Sequence, residues 1–200
     1  TFPKVLCTTL PFDPRYPLAD NSIIIVPTLA DLCGLNALLR DALENTALIT
    51  AGLCNKPHKG GLSKLSPSVG ITALGATDGA IKPLVTALSG QGREASVFHS
   101  NGFGGAAFAR FAARGAFDAI IDLTPHELTR IHLGGAHVPM PDRFAAGGAL
   151  PRIVLPGALN FISLGEKALL QPHYLTRPHY AHSSLFTHVK VTADEMVLVA

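Results

Sequence analysis

Apolar and polar positions follow two regimes along this chain. Near its start, the runs Lys4–Leu10 and Ser22–Val26 read as strands, separated by the Pro- and Asp-rich loop Pro11–Asn21. Leu35, Leu39, Ala42, Leu43 and Ala47 then make the helical i, i+3/i+4 stripe of an element over Asn36–Ala51. Two strands and one helix are too little to close a core alone. Asn55–Pro67, built of Lys, Gly, Ser, Pro and His, reads as a linker.

From Ser68 a strand–helix rhythm sets in. Ser68–Leu74 is strand-like. Gly79–Leu88 is helical, with Ile81, Leu84, Val85 and Leu88 on one face and Pro83 interrupting it. Ala95–Phe98 is a strand, Gly104–Arg114 a helix stopped by Gly115, and Phe117–Leu123 a buried strand. Thr124-Pro125-His126-Glu127 then spells a helix start, with Thr as N-cap, Pro first in the helix and Glu returning to the cap; Gly134-Gly135 ends it. A helix near Asp142–Ala146, a strand at Arg152–Leu155, a strand at Phe186–Val191 and a terminal helix near Ala193 complete the pattern. Strands alternating with helices predict an α/β fold with a mainly parallel sheet, helices on both faces and right-handed crossovers.

Composition changes this picture in one respect. Hydrophobic residues make up 48% of the 200 positions and charged ones 15%, against about a quarter charged in an average soluble domain. With a mean hydropathy of +0.32, part of the surface is expected to be covered, by a homo-oligomer (a dimer first) or by a missing piece of the protein; light scattering reads the former. The chain opens at Thr1 directly on a strand-like run, so an absent upstream portion is expected. A net charge of +2 without a Lys/Arg run argues against a nucleic-acid footprint. Cys7, Cys33 and Cys54, an odd count without metal-ligand spacing, fit reduced thiols and a cytoplasmic protein, and no apolar run approaches membrane-spanning length.

Ligands of parallel sheets bind outside the carboxyl ends of the strands. Those ends carry Gly75-Ala76-Thr77-Asp78, then His99-Ser100-Asn101-Gly102-Phe103-Gly104-Gly105, then Asp122, Thr124 and Glu127, then Pro156-Gly157-Ala158-Leu159-Asn160. Glycines opening a helix let backbone N–H groups approach a phosphate or carboxylate; Gly102, Gly104 and Gly105 fit that role, or serve tight packing. His99 fits an acid/base or a phosphate partner, or simply closes its strand. Asp122 fits a hydroxyl, an amine or Mg²⁺, or caps the loop before Thr124. Glu127 reads as the return partner of the capping box. The C-terminal His173, His179, His182 and His188 lack a familiar zinc spacing and acidic neighbours, so no metal site is assigned.

In order and spacing these strings resemble one family. Gly70-Ile71-Thr72 with Gly75, Val97-Phe98-His99 with Gly102–Gly105, Phe117-Asp118, Asp122-Leu123-Thr124 with Glu127-Leu128, Gly134-Gly135, Pro141-Asp142-Arg143 and Pro156–Leu159 are similar to the second domain of the Tm-one-like ATP-binding proteins of bacteria, fungi and plants. Phe2–Val5 and Asp31–Asn36 resemble the end of that family's first domain. The resemblance implies a Rossmann-like αβα domain over residues 68–200, a linker over 56–67 and, over 1–55, the C-terminal part of another αβα domain. It also implies ATP binding, with Mg, and dimers; plant members bind a viral replication protein. Phe103 where the family has Thr, and Asn160 where Asp is common, predict weakened or altered ATP binding.

Three functions follow as expectations. The first is a nucleotide- or phosphometabolite-binding protein using His99, Gly102, Gly104, Gly105, Asp122 and Thr124. The second is a hydrolase or lyase acting on a small acidic metabolite, with His99 or Asp122 as base. The third is a non-catalytic interaction module.

Overall fold

The computed structural model describes residues 3–9, 23–28, 30–55, 67–100, 103–135 and 141–199, and the chain divides into two compact units, Thr1–Ser63 and Lys64–Ala200. The loop expected between the first two strands, residues 56–66 of the expected 56–67 linker, and Gly102 lie outside the described residues.

In the first unit β1 (Val5–Thr8) and β2 (Ile24–Pro27) pair in parallel, Val5 opposite Ile24 and Thr8 opposite Pro27. Pro27 has no N–H to extend the ladder and stands at the strand's end. Helix α1 (Ala37–Cys54) starts at Asn36, whose Oδ1 accepts the Leu39 N–H at 2.9 Å. It buries Leu39 and Ala42 and leaves Leu38, Leu43 and Leu48 exposed.

In the second unit β3 (Ser68–Ala73), α2 (Asp78–Gly90), β4 (Glu94–His99), α3 (Phe103–Ala113), β5 (Ala119–Asp122), α4 (Glu127–Leu133) and β6 (Arg152–Val154) follow in sequence. The four strands are parallel, in the order β4-β3-β5-β6. Alternation along the strands divides the core into two layers. Val69, Ile71 and Ala73 of β3 pack with Ile81, Leu84, Val85 and Leu88 of α2. On the other layer Ile120 of β5 packs with Phe108 and Ala112 of α3 and with Phe117. Gly70 is needed there, because a Cβ at that position would lie 2.6 Å from the Phe117 ring. The expected α/β fold with a mainly parallel sheet is therefore present.

The remainder departs from expectation. Pro141–Arg143 is a single 3-10 turn rather than a helix over Asp142–Ala146. Beyond it, β7 (Phe161–Leu164), α5 (Pro172–Leu175), β8 (His179–Ala181), β9 (Thr187–Lys190) and α6 (Ala193–Val199) follow. Strands β7, β9 and β8 form an antiparallel sheet of which the hydrophobic pattern marked only β9. One face of it, with Ile162, Leu164, Val189 and Val191, packs against Leu133 of α4 and Met196 of α6. Strands as short as β8, whose Tyr180 is exposed, give no period to read.

Candidate functional site

Strand order fixes where a crevice belongs. From β3 the chain steps outward to β4, then returns across β3 to β5 and β6, so the connections leave the carboxyl ends of β3 and β5 in opposite directions. The polar residues of those two ends are bound to each other. The Thr72 hydroxyl donates to Asp122 Oδ1 at 2.7 Å and accepts the Thr124 N–H at 3.0 Å. One turn on, the Thr77 and Thr124 hydroxyls lie 3.0 Å apart.

Asp122 is completely buried, and Arg143 supplies the compensating charge. The guanidinium donates through Nη1 to Oδ2 at 2.7 Å and through Nη2 to Oδ1 at 2.9 Å, and Nη2 also reaches the Thr124 carbonyl at 3.2 Å. This two-pronged pairing is the strong form of the Arg–carboxylate bond. Arg143 is itself fully buried, its guanidinium 4.4 Å from the centre of the Phe144 ring. Arg152 adds a second, more distant cation, 3.6 Å from Asp122 Oδ2.

The third charge is Glu127. Its Oε1 lies 2.7 Å from Arg143 Nε in a fully buried ion pair. Burial pushes this carboxyl up to about 7 against the opposing pull of Arg143. The expected capping box is not formed. The helix begins at Glu127, no side chain caps it, and the Thr124 hydroxyl is engaged with Thr77 instead. A glutamate spared from capping turns to the arginine between the strands.

The glycines of the His99–Gly105 segment have packing reasons. A Cβ on Gly104 would lie 2.0 Å from the His99 carbonyl oxygen, and one on Gly105 would lie 2.6 Å from Glu127 Oε1. By contrast Gly75 and Gly79, in the turn between β3 and α2 and in the first turn of α2, have nothing within 4 Å of an added Cβ. His99, the last residue of β4, is exposed, and Ser100 beside it is buried with its hydroxyl unpartnered.

The expected site residues therefore divide. Asp122 and Thr124 come together at the β3–β5 junction, Gly104 and Gly105 brace the loops around it, and His99 stands at the end of β4. Sequence reading missed Arg143 as the central cation, Glu127 as a desolvated acid, and a buried chain of side chains next to them. His126 Nδ1 lies 2.6 Å from the Ala158 carbonyl, its Nε2 lies 3.0 Å from Ser163 Oγ, and Ser163 Oγ lies 2.9 Å from His188 Nδ1. Burial lowers His126 to about 4 and, more weakly, lowers His188. The positive φ of 58° at Ala158, a residue that is not glycine, helps aim that carbonyl.

This is an α/β protein whose parallel sheet carries a buried Asp–Arg–Glu centre at the carboxyl ends of its strands. It belongs to the UPF0261 family: residues 66–200 match the uncharacterised protein family UPF0261 C-terminal domain. A UPF0261 protein of Mesorhizobium japonicum is 33% identical over 199 residues, covering 96% of this chain and 49% of that protein. One from Clostridium tetani is 28% identical, covering 98% and 49%. The ToMV resistance protein Tm-1 of Solanum lycopersicum is 25% identical, covering 96% and 26%. The resemblance read from the motifs holds, and the chain spans about half the length of the bacterial relatives it matches. Among the described residues no helix is long and apolar enough to cross a membrane.

Proposed function

We propose that this chain binds a small phosphorylated or acidic ligand, Mg·ATP first among them, in the crevice between the carboxyl ends of β3 and β5. The observation that carries this reading is the contrast between glycines. Packing accounts for Gly104 and Gly105, whereas Gly75 and Gly79 face open space at the start of α2. A ligand therefore has room to approach the backbone at these two glycines, and the helix dipole favours an anion. The ligand thus sits on the first strand–helix turn, with His99 on the neighbouring strand end. The Thr72–Asp122–Arg143 network holds the two loops in register beneath it rather than touching it. Residues 1–55 are, on this reading, part of a further αβα domain.

Titration calorimetry with Mg·ATP, ADP and inorganic phosphate tests this. Saturable binding weaker than micromolar is expected, in keeping with Phe103 and Asn160 departing from the pattern that the resemblance implies. Absence of heat with all three ligands and with a panel of small carboxylic acids would overturn it.

One observation favours an enzyme at the same centre. A carboxyl poised near neutrality beside a fixed cation, as Glu127 is, has the acidity of a general acid or base. On that reading Glu127 replaces His99 and Asp122 in the proton-transfer role, and turnover of a small acidic metabolite by a hydrolytic or lyase step would vanish in Glu127→Gln.

A further inference from the structure

We propose that His182 and His188 form a binding site for a divalent transition-metal ion of the zinc, nickel or copper class, independent of the crevice. The register of the antiparallel sheet puts the two together. Tyr180 pairs with His188 and Ala181 with Thr187, and the His182 N–H extends the ladder to the Phe186 carbonyl at 2.9 Å. Side chains two residues apart share a sheet face, so His182 stands diagonally across from His188, on the face that also carries Ser163. The two imidazole centres are 4.9 Å apart with their planes at 61°. Two imidazoles bound to one tetrahedral ion through nitrogens at about 2.0–2.1 Å have centres about 5 Å apart.

Hydrogen-bond chemistry orients His188 for this role. The Ala158 carbonyl can only accept, so His126 Nδ1 carries the proton and the Nε2 of the neutral ring accepts from the Ser163 hydroxyl. With its proton committed, Ser163 Oγ accepts from His188 Nδ1–H. His188 is thereby held in one tautomer, with no hydrogen bond to its Nε2 among the described residues. An imidazole whose other nitrogen donates to a fixed acceptor is how proteins build metal-binding histidines, and a neutral nitrogen pair selects zinc, nickel or copper over magnesium or calcium. Among the described residues no cluster of three or more His, Cys, Asp or Glu is placed to hold a metal. Two protein ligands therefore leave the remaining positions to water.

The test is titration of Zn²⁺, with Mg²⁺ as control, into the full chain carrying Cys33→Ser and Cys54→Ser, which removes the exposed thiols. One equivalent is expected to bind with micromolar affinity, with two imidazole ligands by X-ray absorption. His182→Ala and His188→Gln are each expected to weaken it at least tenfold. Ser163→Ala is expected to weaken it about tenfold through loss of the acceptor that fixes the His188 ring. His182 is exposed, so its replacement spares the fold and decides the matter. Unchanged zinc affinity in His182→Ala, or no binding at millimolar zinc, would overturn the proposal.

Discussion

At the scale of single residues the carboxyl edge of the sheet is defined by close approach and by buried charge. Gly104 has no room for a side chain, and the obstacle is the His99 backbone, which cannot swing aside. Gly104→Ala is expected to destabilise the protein by more than about 3 kcal/mol in urea unfolding, above the usual range for overpacking, whereas Gly75→Ala should change stability by less than about 0.5 kcal/mol. Equal effects at the two positions would contradict the division between packed and open glycines.

Two buried groups titrate with opposite sign. The folded chain refuses a proton at His126 down to about pH 4, while the unfolded chain takes it up near 6.5. That contribution is complete above 6.5 and is lost as pH falls toward 4. Glu127 keeps its proton in the folded chain up to about 7 and loses it near 4.5 when unfolded, so its contribution is complete below 4.5 and is lost as pH rises toward 7. Each amounts to about 3 kcal/mol, and between 4.5 and 6.5 they largely cancel. Glu127→Gln removes only the second. Relative to wild type the variant is expected to gain about 3 kcal/mol as pH rises from 4.5 to 7. A constant difference across that range would show that Glu127 is not desolvated.

At the scale of elements, legibility tracked local periodicity. The strands β3, β4 and β5 and the helices α2 and α3 were readable because their apolar residues recur at strand or helix spacing within a few turns. Asn36 and Gly134 announced helix ends that the structure keeps, Gly134 with a left-handed φ of 79°. The start of α4 misled. Thr-Pro-His-Glu has capping chemistry, but Thr124 and Glu127 find partners in β3, in the turn before α2 and at Arg143 that no local pattern reveals. The same holds for the centre itself. Asp122 was marked from its strand end, yet its partner Arg143 lies 21 residues on, and Ser163 joins His126 and His188 across 37 and 25 residues. Such contacts are products of topology. Because the 3-10 turn reaches the sheet through Arg143, Arg143→Met is expected to cost about 3–5 kcal/mol by leaving Asp122 buried without its main partner; denaturant unfolding measures it. A loss below about 1 kcal/mol would place the Arg143 charge outside the folding core.

At the scale of the molecule, the proposed ligand site rests on the parallel sheet and on its junction between β3 and β5. Ile153 and Val154 of the outer strand β6, and Leu155 just beyond it, are exposed. The most direct measurement is a paired calorimetric titration of Mg·ATP into the wild type and into Gly75→Val, whose added side chain would occupy open space at the start of α2 and leave the core untouched. The account predicts saturable binding by the wild type and at least tenfold weaker binding by the variant at unchanged thermal stability. Binding of equal strength to both would contradict it.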